Sequence, residues 1–150
     1  MKYHKALKQN KGFSLLEVLI SLAIMVILLG VTTPFVLHFY KRYQSSTERN
    51  LLVSLFREAR TMSLAGHGSA NHGVHIASGQ YTLFEGVNYQ TRIEAKDQTF
   101  PRNDNISITG PSDLIFTHLT GRTASVSFIL TNATKTERIY VNKEGRIDWQ

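Results

Sequence analysis

Three hydrophobic patterns divide the chain. From Val18 to Tyr40 there are 23 residues without Asp, Glu, Lys or Arg. As a helix such a run spans about 35 Å, enough to cross a bilayer. From Tyr43 to Ala65 apolar residues recur at helical spacing: Leu52, Leu55, Phe56, Ala59 and Met62, with Arg57, Glu58, Arg60 and Thr61 between them. This stripe predicts an amphipathic helix that lays one face on a domain. Neither Gly nor Pro interrupts the chain between Pro34 and Gly66, so both segments read as one helix of about 50 residues, roughly 80 Å long. Pro34 removes one helical hydrogen bond and predicts a kink near residues 30–34, with Gly30 adding looseness. Gly66, Gly68 and Asn71 terminate the helix.

Beyond residue 72 the period changes to two. Val74 and Ile76 alternate with polar positions, as do Tyr81 and Leu83, with Ser78-Gly79-Gln80 as a hairpin turn between them. Further strands are predicted at Ile106 and Ile108, at residues 113–119, at Val126, Phe128 and Leu130, and in the final hairpin. The expected arrangement is a meander of about six or seven short strands, with residues 95–105 as a polar loop. The fold class is therefore α+β: a long kinked N-terminal helix, first transmembrane and then amphipathic, packed on a small antiparallel β-sheet domain. The divisions are residues 1–12, 13–40, 41–65 and 66–150.

Charge sharpens this picture. The chain of 150 residues carries a net charge of +6, unevenly spread. Residues 1–12 hold Lys2, Lys5, Lys8 and Lys11 and no acid, whereas residues 66–150 hold eight basic and eight acidic groups. The four leader lysines favour a cytoplasmic N-terminus and export of the C-terminal part. A cleaved secretory signal is a poor fit, because the apolar run is too long and no small-x-small site follows it. The chain has no cysteine, which excludes disulfides, thiolate metal sites and a Cys nucleophile. One charge breaks the apolar stretch: Glu17, costly in lipid by a few kcal/mol.

The residues Lys11-Gly12-Phe13-Ser14-Leu15-Leu16-Glu17, followed by an apolar helix, resemble the class III signal of type IV prepilins and type II secretion pseudopilins. Ser14 stands where the commoner form has Thr. More loosely, residues 51–65, Gly73–Ile76, Tyr81–Phe84, Leu114–Arg122 and the closing Ile139–Trp149 are similar to landmarks of the GspH/FimT branch of minor pilins. The resemblance implies a type IV pilin-like fold. It implies that a membrane prepilin peptidase removes residues 1–12 by cutting between Gly12 and Phe13, then N-methylates Phe13. The mature subunit would leave the inner membrane and pack its helix beside other minor pilins or pseudopilins and a major pilin. It would be a structural subunit without catalytic residues, cofactor or small-molecule substrate.

That implication explains Glu17 physically. Cleavage creates a terminal ammonium at Phe13, and a lone charge in an apolar helix stack is expensive. Glu17 can neutralise it, and only a stagger that joins the two is then allowed. A plain single-pass anchor, with Glu17 at the headgroups, is the simpler rival.

Other chemistry finds little support. His67, His72 and His75 lie within nine residues, but His72 and His75 face opposite sides of a strand and no carboxylate or Cys lies nearby, so no metal site is expected. There is no Gly-x-Ser-x-Gly, His-Glu-x-x-His or phosphate loop. DNA binding is the sharper alternative, because some FimT-like pilins take up DNA through Gly-Arg-x-Arg. Here Gly145-Arg146-Ile147-Asp148 keeps the first Arg and replaces the second by an acid. Arg146, with Lys143, Arg138 and Lys135, would form that contact, interleaved with Glu137, Glu144 and Asp148. A third reading is a membrane-anchored periplasmic binding domain that never assembles.

Overall fold

A computed structural model describes residues 12–150, apart from the side chains of residues 31–35, 37 and 38. The helix α1 runs over Leu15–Leu64, 50 residues, in agreement with the uninterrupted pattern after Pro34. The chain forms two compact units that meet between Leu37 and His38. The kink expected at Pro34 concerns a side chain outside the described set. Among the described residues no helix is long and apolar enough to cross a membrane. The uncharged run of the sequence extends from 18 to 40 and therefore over residues whose side chains are not described.

In the first unit every described side chain is exposed, including Leu15, Leu16 and Leu19 through Leu29. In the second unit the predicted stripe is buried: Leu52, Leu55, Phe56 and Ala59 are all at most 2% exposed. Val53 joins them, so the buried face is wider than the pattern indicated.

Eight strands follow: β1 His72–Ile76, β2 Gln80–Glu85, β3 Gln98–Pro101, β4 Ser107–Thr109, β5 Asp113–Phe116, β6 Val126–Thr131, β7 Thr136–Val141 and β8 Ile147–Trp149. They form two four-stranded antiparallel sheets, ordered β3-β2-β1-β5 and β4-β6-β7-β8. The single meander is thus corrected. After β3 the chain crosses to the second sheet for β4, returns for β5, and crosses again for β6. Alternation tells each strand which face to bury but not which neighbour to pair with.

The loop expected at 95–105 is also corrected, since a short 3-10 turn at Glu94–Lys96 runs into it and it contains the strand β3. β3 is an edge strand whose Gln98 and Thr99 are exposed; pairing with β2 and the packing of Phe100 against the core define it. Pro101 is tolerated at its end because an edge strand has no ladder partner on one side.

Both sheets bury their inner residues in one core with α1. Val74, Leu83, Leu114 and Phe116 come from the first sheet, and Phe128, Leu130, Ile139 and Val141 from the second. The rings of Phe56 and Phe128 meet at 5.0 Å between centroids, in the range where aromatic pairs add to area burial.

Candidate functional site

The N-terminal segment presents a rod of apolar side chains with one acid. Phe13 is 83% exposed and precedes the first helical residue by two. Ser14 begins the backbone ladder, its carbonyl accepting from the Val18 N–H at 3.2 Å. Glu17 lies in the first turn of α1, where the unpaired N–H groups and the helix dipole favour a negative charge. The Ser14-x-x-Glu17 spacing is that of a capping box. Among the described residues Glu17 makes no ion pair; its carbonyl accepts from the Ser21 hydroxyl at 2.8 Å. A Cβ at Gly12 would meet nothing within 4 Å. Among the described residues no packing demands a glycine there.

The residues proposed for a basic patch are not brought together as one. Lys135 pairs with the buried Glu137 and donates to the Ser46 hydroxyl on α1 at 3.2 Å. Arg49 also reaches Glu137, at 3.2 Å. Arg138 is exposed on the opposite face of β7 from Glu137 and Ile139. Lys143 is exposed in the β7–β8 turn. Arg146 pairs with Asp148 at 2.9 Å.

Arg146 instead joins two residues that no local pattern linked to it. Arg57, Arg60 and Thr61 of α1 line a cleft of about 530 Å³ with Gly145, Arg146 and Ile147. Arg60 donates to the Glu144 carbonyl at 3.2 Å. Trp149 on β8 lies under Arg57, 5.0 Å from guanidinium carbon to ring centroid, a cation–π contact. Gly145, with φ at +75°, makes the turn that brings Arg146 here.

The histidines separate as the strand period predicts. His75 is on the outer face, bonded to Asp113 at 2.6 Å and stacked on Tyr89 at 3.7 Å. His72 is on the inner face and 2% exposed. The expectation that no carboxylate lies near the histidines is overturned: the β1–β2 register sets His72 directly opposite Glu85. The hairpin closes a sequence gap that hid this neighbour.

The model of the prokaryotic N-terminal methylation motif matches residues 7–33. No curated protein and no solved structure matches the chain. The match takes in Gly12, Phe13, Glu17 and the exposed apolar residues from Val18 to Leu29. The chain thus carries a type IV prepilin-like signal at the head of a pilin-like fold of one helix on antiparallel sheets.

Proposed function

We propose that the chain is a minor pilin or pseudopilin: a non-catalytic structural subunit of a type IV pilus or type II secretion pseudopilus, of the GspH/FimT kind. Prepilin peptidase cuts between Gly12 and Phe13 and methylates the new amine. The leader lies in the cytoplasm, residues 13–40 sit in the inner membrane, and the β domain is exported. On extraction into the filament, helices pack against those of other minor and major pilins, and Glu17 neutralises the Phe13 ammonium.

The observation that carries this reading is the conjunction of the matched motif with an exposed apolar stretch of α1 headed by one acid. Burial of that stretch by lipid or by neighbouring helices removes a large apolar surface from water. Glu17 then needs a cation, and the mature N-terminus supplies one four residues away. Mass spectrometry of the membrane-extracted protein tests the reading. The expected mature chain begins at Phe13 and is one methyl heavier; a chain that still begins at Met1 refutes it and favours the anchored domain that never assembles.

The cleft of Arg57, Arg60 and Arg146 favours a second reading, a DNA-binding minor pilin. Three guanidinium groups converging on one opening are suited to phosphate. Asp148 opposes it by holding Arg146. A gel shift with duplex DNA at low salt, lost in Arg146→Ala, is the outcome that supports this role.

A further inference from the structure

His67, His72 and Glu85 converge at the C-terminal end of α1. Their candidate ligand atoms all lie within 4.8 Å of one another, and His72 Nε2 is 3.8 Å from Glu85 Oε2. Together with Met62, Lys96 and Gln98 they line a cleft of about 260 Å³. His72 is buried, yet neither of its ring nitrogens makes a hydrogen bond of good geometry. Buried polar groups without partners are uncommon and point to a missing one. Glu85 is itself buried, and its carboxylate is held by Lys96 Nζ at 2.7 and 2.8 Å.

We propose that His67, His72 and Glu85 form a binding site for a divalent transition-metal ion of the zinc class, with Lys96 as the cation that the metal displaces. Two imidazoles and one carboxylate are the ligand types that such an ion prefers, while calcium and magnesium seek oxygen alone. Three protein ligands leave a fourth position to water. Donors sharing a tetrahedral zinc at about 2.0–2.1 Å from the ion stand roughly 3.3 Å apart, so His72 and Glu85 need move little. His67 supplies the remaining adjustment, being exposed on the 3-10 turn His67–Ser69. That turn lies against the carboxylate because Gly68 lacks a side chain: a Cβ there would collide with Glu85. Lys96 is 45% exposed in its side chain and can swing to solvent on its flexible stem.

The bound ion would tie the end of α1 to β1 and β2, a structural role that stands apart from the assembly reading. The test is calorimetric titration of the full chain in detergent with zinc chloride alone, and thermal unfolding with and without it. One zinc per chain is expected, with a raised Tm. His67→Ala, at an exposed turn, weakens binding by roughly tenfold or more and abolishes the Tm shift. Lys96→Ala tightens binding, a gain that misfolding cannot produce. Unchanged affinity in either variant, or no saturable binding, overturns the assignment.

Discussion

Tyr81 donates a hydrogen bond to Glu48 Oε1 at 2.6 Å, joining β2 to α1 inside the core. The tyrosine is 0% exposed and the glutamate 6%. The same Glu48 oxygen accepts from the Asn103 N–H at 3.3 Å. A buried carboxylate is tolerable only when donors satisfy it. Tyr81→Phe keeps the ring and removes the stronger donor. We expect a loss of about 1–3 kcal/mol in unfolding free energy, read by denaturant melts; a variant as stable as wild type would show that water replaces the hydroxyl.

This pair also sets an alkaline limit. Burial, then the bond to Glu48 and its charge, raises the Tyr81 pKa well above 10.0. The folded state keeps the proton where the unfolded tyrosine loses it. The stabilisation is therefore complete below about pH 10 and is lost as pH rises beyond it. Tm should fall more steeply above pH 10 in wild type than in Tyr81→Phe. Parallel Tm curves for the two proteins would contradict the assignment.

Gly12→Arg separates recognition from folding. Nothing in the described chain lies within 4 Å of a Cβ at that position, so the β domain should melt unchanged. The uncut precursor should accumulate, seen as the retained leader by intact mass. Efficient cleavage of this variant would end the cleavage proposal.

Glu17→Ala should be processed like wild type yet enter filaments poorly. Under the proposed assembly the removed group leaves the Phe13 ammonium unpaired in the stack, and an unpaired buried charge costs on the order of 3–5 kcal/mol. Immunoblots of sheared filaments against total cellular subunit provide the measurement. Equal incorporation would leave Glu17 without its proposed role.

Asp148→Ala frees Arg146 from its 2.9 Å ion pair and removes a charge that repels phosphate. Under the DNA-binding reading, affinity for duplex DNA should rise and should weaken with added salt. Arg57→Ala and Arg60→Ala should each reduce it. No binding by Asp148→Ala at low salt leaves the cleft without a nucleic-acid role.

Gly145 sits at φ +75°, and a Cβ there would collide with the Gly121 carbonyl and meet Arg60 Nε at 2.8 Å. Gly145→Ala should cost about 1–3 kcal/mol, visible as a lowered Tm, and should displace the Arg146 turn. An unaltered Tm would mean that the turn relaxes freely.

The local features of this protein are written in neighbouring residues. The charge step before Gly12, the apolar run and Glu17 at its head need only sequence proximity, and the second half of α1 follows from spacing and from the absence of breakers between Pro34 and Gly66. The burial of Leu52, Leu55, Phe56 and Ala59 follows from the same stripe. Partner choice was settled only by tertiary structure. Period two marks the inner face of β4 and β5 but cannot say that β4 joins β6 while β5 joins β1. β3 is hard to read locally because it is a short edge strand with a single inward apolar residue, Phe100, amid polar neighbours. The two clusters with chemical potential, His67–His72–Glu85 and Arg57–Arg60–Arg146, arise because the β1–β2 hairpin and the β8 strand fold back against α1. Each unites residues from different elements, and the free energy that joins them comes from burying the apolar core between, not from any attraction legible in the polar residues themselves.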